Sequence, residues 1–267
     1  MDRRAFTVAA PAAALVAAPA AALVATLAGP PARACAAQPQ STGAATSIAM
    51  LLYPGMTALD VVGPQALLAG LADGGLHLVA ARIGPVESDT GLSLVATHDF
   101  ENCPRDPTVL FVPGGDGTPA QMRDPATLAF LRERAATARW VTSVCTGSLI
   151  LGAAGLLEGY RATSHWCVRE SVLPLLGAEP VDARVVFDRN RVTAAGISAG
   201  LDFALALAGR LRGEDYAKTA QLVAEYAPQP PFRAGTPEEA GAGITQKAQA
   251  ILSGLAAGAR EAASLKP

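Results

Sequence analysis

The sequence predicts a doubly wound α/β domain with a mostly parallel sheet and helices on both faces, from three observations. Apolar runs of strand length recur at Ser47–Tyr53, Thr108–Val112 and Trp140–Val144. Each ends at a turn of Pro, Gly or other small residues and is followed by a helical apolar pattern, the alternation expected of parallel strands joined by crossover helices. The last run passes through Cys145 directly into Thr146 and Gly147, as a strand does when it turns sharply into a helix.

Composition bounds the rest. The chain has 267 residues, 51% of them hydrophobic and 16% charged, with net charge −2, which fits one sizeable domain and an appendage. Lys and Arg form no run that could track phosphates, so no nucleic-acid partner is expected. Cys35, Cys103, Cys145 and Cys167 lack paired zinc spacing, and His77, His98 and His165 lie far apart, so no metal site is expected.

Residues 1–36 read as a twin-arginine-type export signal. Arg3-Arg4 precedes an Ala-rich apolar run from Ala9 to Ala28, and Ala32-Arg33-Ala34 or Ala34-Cys35-Ala36 offers a small-x-small cleavage site. Pro11 and Pro19 interrupt the run and Leu and Ile are few, which argues against a membrane anchor. The mature protein is therefore expected in the periplasm or outside the cell, with no stable membrane span. Cleavage leaves an odd number of cysteines in an oxidising compartment, so one thiol must stay free or pair with another molecule, and Cys145 is the natural candidate for a free one.

A linker, 37–46, leads to the α/β domain, 47–232. Ser47–Tyr53 is a central strand, and Thr57 can cap a helix that starts at Ala58 and carries Asp60 in its first turn. Leu76–Ala81 is a further strand, and Val86–His98 alternates around Gly91 as a small antiparallel edge ribbon. Thr108–Val112 ends in Pro113-Gly114-Gly115, and Pro125–Ala138 is an amphipathic helix. After the elbow helix, Arg161–Trp166 reads as a short strand and Val168–Leu176 as a helix. Val181–Phe187 and Arg191–Ala195 read as strands around an Asp188–Asn190 turn. Ser198 caps a helix through Leu211, another runs from Glu214 towards Tyr226, and Pro228, Pro230 and Pro231 force an extended stretch. The extension, 233–267, carries an amphipathic helix striped by Ile244, Ala248, Ile251, Leu252, Leu255 and Ala259, which must pack on the core or on a second subunit.

Ligands of such sheets bind at the carboxyl ends of the strands. The junctions Tyr53–Asp60, Pro113–Gly115, Cys145–Gly147 and Gly196–Ser198 thus share one rim. On it, Cys145 has Ser143 two residues before and Gly147 two after, the small flanks a nucleophile elbow needs. Helix-start N–H groups would favour its thiolate, the reactive form, although free Cys is more often a buried small hydrophobe. Asp60 is either an acid/base group or only a favourable charge at a helix start. His165 is either a partner of the thiol or a satisfied core residue. Gly114 and Gly115 either bind ligand or simply permit a tight turn.

From Ile48 to Phe232 the chain resembles the ThiJ/PfpI superfamily, class I glutamine amidotransferase-like proteins, and within it the isonitrile hydratases. The resemblance rests on Tyr53–Pro64, Val112–Gly115, Val141–Leu149, Leu151–Leu157, Arg161–Trp166 and Glu225–Phe232. It implies a homodimer of flavodoxin-like domains with no metal or organic cofactor and a small-molecule substrate. It also implies Cys145 as nucleophile, Asp60 as its acid/base partner and Thr146 beside them, with His165 as an accessory group. The expected reaction is hydration of an isonitrile to an N-substituted formamide through a thioimidate, with Gly115 and Thr146 N–H groups as donors to developing negative charge. The sensor domains of arabinose-operon-type regulators share nearly all these motifs. Glyoxalase or aldehyde-repair enzymes share the fold but usually place Glu on the first rim helix. A sensing module and an aldehyde-repair enzyme are therefore the alternatives.

Overall fold

The structure, a computed structural model, describes residues 45–265. The export signal and most of the linker expected from the sequence lie outside the described residues. In chain order the elements are β1 (Ile48–Leu51), α1 (Ala58–Leu68), β2 (Leu76–Val79), β3 (Gly84–Glu87), β4 (Ser93–Ala96), β5 (Val109–Val112), α2 (Thr118–Gln121) and α3 (Pro125–Ala135). There follow β6 (Trp140–Val144), α4 (Gly147–Ala153), β7 (Arg161–Ala162), α5 (Trp166–Val172), β8 (Glu179–Pro180), β9 (Val185–Asp188), β10 (Arg191–Ala194), α6 (Ala199–Arg212), α7 (Glu214–Val223) and α8 (Pro237–Ser264).

Six strands form the main sheet in the order β2-β1-β5-β6-β10-β9. All neighbours are parallel except β10 and β9. Residues of β1, β5 and β6 are buried on both faces apart from the half-buried Trp140, which is why they read as continuous apolar runs rather than alternating ones. Helices pack in two groups, α1 with α6 and α7, and α2, α3 and α8 around α4 and α5, one group on each face. The order of the parallel strands reverses direction between β1 and β5, and at that point a doubly wound sheet opens a crevice beyond the strand ends.

The expected antiparallel ribbon is β3–β4, a separate sheet fixed to the β2 edge by Thr97 and His98 N–H groups donating to Leu78 O. One expectation needs correction, and a second is met within the single chain only in part. Arg161–Trp166 is strand only at its first two residues; His165 is the N-cap of α5, its Nδ1 accepting from Cys167 N–H at 3.4 Å, so the helix starts at Trp166. The α8 stripe does not pack along its length: Ala259, Ala262 and Ala263 are buried, whereas Ile244 and Ile251 are exposed. α8 packs against α2 and α5.

Candidate active site

Three strand ends meet at the rim. The loop after β1 leads into α1, whose first turn carries Asp60, the loop after β5 carries Gly114 and Gly115, and Cys145 directly follows β6. Cys145 has φ +57, a conformation non-Gly residues rarely adopt, with a typical cost of about 1–3 kcal/mol. The strain is held by neighbours: Cys145 N–H donates to Ala195 O at 2.8 Å, and its carbonyl accepts from Ser164 Oγ at 3.1 Å and Ser148 Oγ at 3.3 Å. Small residues make the elbow possible. A Cβ on Gly147 would lie 2.3 Å from Val112 O, and one on Gly114 would lie 2.5 Å from Thr146 N.

Asp60 is fully buried, and its Oδ2 accepts from Gly114 N–H at 2.9 Å. Oδ1 is buried with no hydrogen bond of good geometry, although the Cys145 thiol lies near enough to favour the carboxylate. Burial pushes Asp60 from the usual carboxylate range up to about 7; Gly114 N–H opposes this and the negative charge of Asp89 adds to it. The helix start that α1 offers its first turn is typically worth about 0.3–1 kcal/mol, too little to offset that desolvation. Burial, more than the helix start, therefore sets the Asp60 carboxyl, and holds it near neutrality.

The same comparison corrects the expected thiolate. Burial raises the Cys145 thiol well above its ordinary value, and the Asp60 carboxylate raises it further; Thr146, through its N–H and its hydroxyl, pulls it back only in part. Burial and the neighbouring carboxylate thus act against the thiolate that a helix N-terminus would favour. Of the two expected backbone donors, one is committed elsewhere: Gly115 N–H donates to Thr146 Oγ1 at 3.0 Å, and with Gly114 N–H holding Asp60 these two glycines position Thr146 and the acid. Thr146 N–H remains directed at the Cys145 sulfur.

His165 lies at the same rim, but its Nδ1 is 3.1 Å from Cys167 Sγ and accepts from Cys167 N–H, which leaves the ring proton on Nε2. Burial lowers its pKa to about 4, so it is neutral at ordinary pH. Cys167 is pushed up to about 11 by burial, and Cys103 is also raised by burial; all three described cysteines are free. Sequence reasoning gave no role to Tyr53 or Thr118. Tyr53 OH donates to Pro113 O at 2.9 Å, and Thr118 Oγ1 lies 3.3 Å from it and 2.7 Å from Thr146 Oγ1, a buried hydroxyl chain behind the elbow. Thr118, just beyond Gly114-Gly115 on the rim, was discoverable from the strand-end rule.

The Asp60 shift has a signed consequence. Its folded-state value near 7 exceeds the 3.8 of a free Asp, so its contribution to stability is most favourable below about pH 4 and is lost as pH rises through 7. The loss is on the order of 4 kcal/mol at most. The thermal midpoint of the wild type, measured against that of Asp60→Asn, is expected to fall between pH 4 and pH 8. Parallel midpoint curves for the two proteins would refute the burial account.

Residues 46–210 match the DJ-1/PfpI family. The chain is 52% identical over 205 residues to the isonitrile hydratase of Pseudomonas putida, a match covering 77% of this chain and 89% of that protein. The crystal structure of a ThiJ/PfpI family protein from Pseudomonas syringae superposes with a TM-score of 0.79 at 50% identity, over 82% of this chain and 90% of that one. The transcriptional regulator GbdR of Pseudomonas aeruginosa is 33% identical over 141 residues, only 38% of its own length.

Proposed function

The chain belongs to the DJ-1/PfpI family, and from that premise we propose that it is an isonitrile hydratase, a hydro-lyase forming N-substituted formamides. One observation carries the reading: a buried acid near neutrality, Asp60, stands against a buried thiol, Cys145, at a strained elbow. The terminal carbon of R–N≡C accepts both a nucleophile and a proton, so it suits such a pair. Asp60 gives its proton to that carbon as Cys145 sulfur attacks it, and the thiol proton returns to Asp60. The net step adds S–H across the carbon to give Cys–S–CH=N–R. Water then adds to the same carbon with its proton passing to nitrogen, and the C–S bond breaks to release R–NH–CHO and the thiol. The Thr146 N–H at the sulfur steadies the charge that develops there.

A turnover assay with a panel of isonitriles and 2-oxoaldehydes tests this reading. Formamide production from isonitriles is the expected result. Turnover of 2-oxoaldehydes alone would favour the aldehyde-repair alternative, and tight binding without turnover of either would favour a sensing module. The homodimer belongs to the same reading: Leu222 and Val223 of α7 and Ile251 of α8 are each more than 80% exposed on the single chain. Sedimentation at micromolar concentration should give twice the chain mass, and a monomer would refute it.

A further inference from the structure

The turn between β3 and β4, residues 88–92, is built against the first loop of the site. From within it is fixed by Ser88, whose Oγ accepts from Leu92 N–H at 3.0 Å and Thr90 N–H at 3.3 Å. From outside it is fixed by backbone: Gly55 N–H donates to Glu87 O and Asp89 N–H to Met56 O, each at 2.9 Å, and Met56 pairs with Ser88 in an isolated parallel bridge. A side-chain bond crosses the same seam, from Thr57 Oγ1 to Asp89 Oδ2.

That bond stands in place of a helix cap. Thr57 is the N-cap residue of α1 with extended backbone, yet its hydroxyl makes no bond to the helix start, the bond such a residue ordinarily makes. The backbone of Thr57 is tied to the acid. Its N–H donates to Gly114 O at 2.8 Å, Gly114 N–H donates to Asp60 Oδ2 at 2.9 Å, and Asp60 N–H donates back to Thr57 O at 3.1 Å. This ring is packed too closely to adjust freely, since a Cβ on Gly115 would collide with Gly55 O and Thr57 N. A displaced Thr57 therefore moves the Gly114 peptide, and with it the carboxyl.

Building on the hydratase reading above, we infer that Asp89 is a positioning residue for Asp60: it holds Thr57, Thr57 holds the Gly114 peptide, and that peptide holds the carboxyl beside Cys145. Its charge bears on the same group. Among the described residues, the titratable groups that face Asp60 are Tyr53 from the loop after β1, Cys145 from the elbow and Asp89 from this turn. Asp89, the exposed member of the three, contributes negative charge that opposes ionisation of Asp60 and so favours the form that can give a proton.

Two substitutions separate the hold from the charge. Thr57→Val removes the hydroxyl at constant size and is expected to lower kcat about tenfold with KM changed less than about twofold, and Thr57→Ser should restore the rate. Asp89→Asn keeps an acceptor for Thr57 and removes the charge. Asp60 then ionises more easily, so the alkaline limb of kcat/KM, set near pH 7 by loss of the Asp60 proton, is expected to move to lower pH by about 0.3–1 unit. The fall of the thermal midpoint between pH 5 and pH 8, which reports Asp60 ionisation without any substrate, should be smaller in Asp89→Asn than in wild type. Full kcat in Thr57→Val, with the limb and the midpoint fall both unmoved in Asp89→Asn, would overturn the inference and leave the hydratase reading intact. A wild type that turns over no isonitrile would overturn that reading instead, and the midpoint comparison would still decide whether Asp89 governs Asp60.

Discussion

Replacing Cys145 with Ser is expected to reduce formamide production by at least about 10³-fold, with the thermal midpoint nearly unchanged. The hydroxyl fits the same buried, left-handed position and keeps the backbone bonds to Ala195, Ser164 and Ser148. It is a far weaker nucleophile, and Asp60, with a value near 7, is too weak a base to ionise an alcohol. Because the first step adds the whole substrate across S–H, acid quenching of the wild type should trap a Cys145 adduct heavier by the full mass of the isonitrile. A variant that keeps a tenth of the turnover, or an adduct on Cys103 or Cys167, would remove Cys145 from the mechanism. Because burial pushes the Cys145 thiol up, alkylation by iodoacetamide is expected to be slow near neutral pH; fast labelling of Cys145 would instead support a helix-start thiolate.

Asp60→Asn is the second large effect, about 10²–10⁴-fold in kcat with little change in KM, since the amide cannot deliver or receive the travelling proton. The amide oxygen still accepts from Gly114 N–H, so the rim keeps its shape. The two possible roles of Asp60 then separate by sign. A mere helix-dipole partner would leave turnover intact and lose about 0.3–1 kcal/mol of stability on substitution. A buried acid predicts the reverse: a variant far slower than wild type and more stable than it above pH 7, where the wild-type carboxylate is charged and desolvated. A fast, slightly softened Asp60→Asn variant would refute the acid/base role.

Much of this architecture was legible in the chain. β1, β5 and β6 are buried on both faces, so burial wrote itself into the sequence as unbroken apolar runs. The elbow was legible for a steric reason, because at Gly147 a Cβ meets the Val112 carbonyl and the requirement for a small residue is local. Elements with a weaker local signature were misplaced. Thr163, Ser164 and His165 read as strand from their neighbours, yet Thr163 N–H donates to Thr193 Oγ1, Ser164 Oγ to the Cys145 carbonyl, and His165 caps α5. The α8 stripe has a clear helical period, but periodicity states which face is apolar and not what covers it.

Residue identity and spacing by themselves determined the doubly wound sheet, the rim and the meeting of Asp60, the Gly114-Gly115 turn and Cys145. Only the tertiary structure decided the chemical state of those groups, because a pKa depends on the dielectric and the charges assembled from distant segments. Asp60 reaches about 7 because the fold buries it and brings in Asp89 from the turn between β3 and β4. Burial pushes the Cys145 thiol up, against the helix start that the sequence advertised.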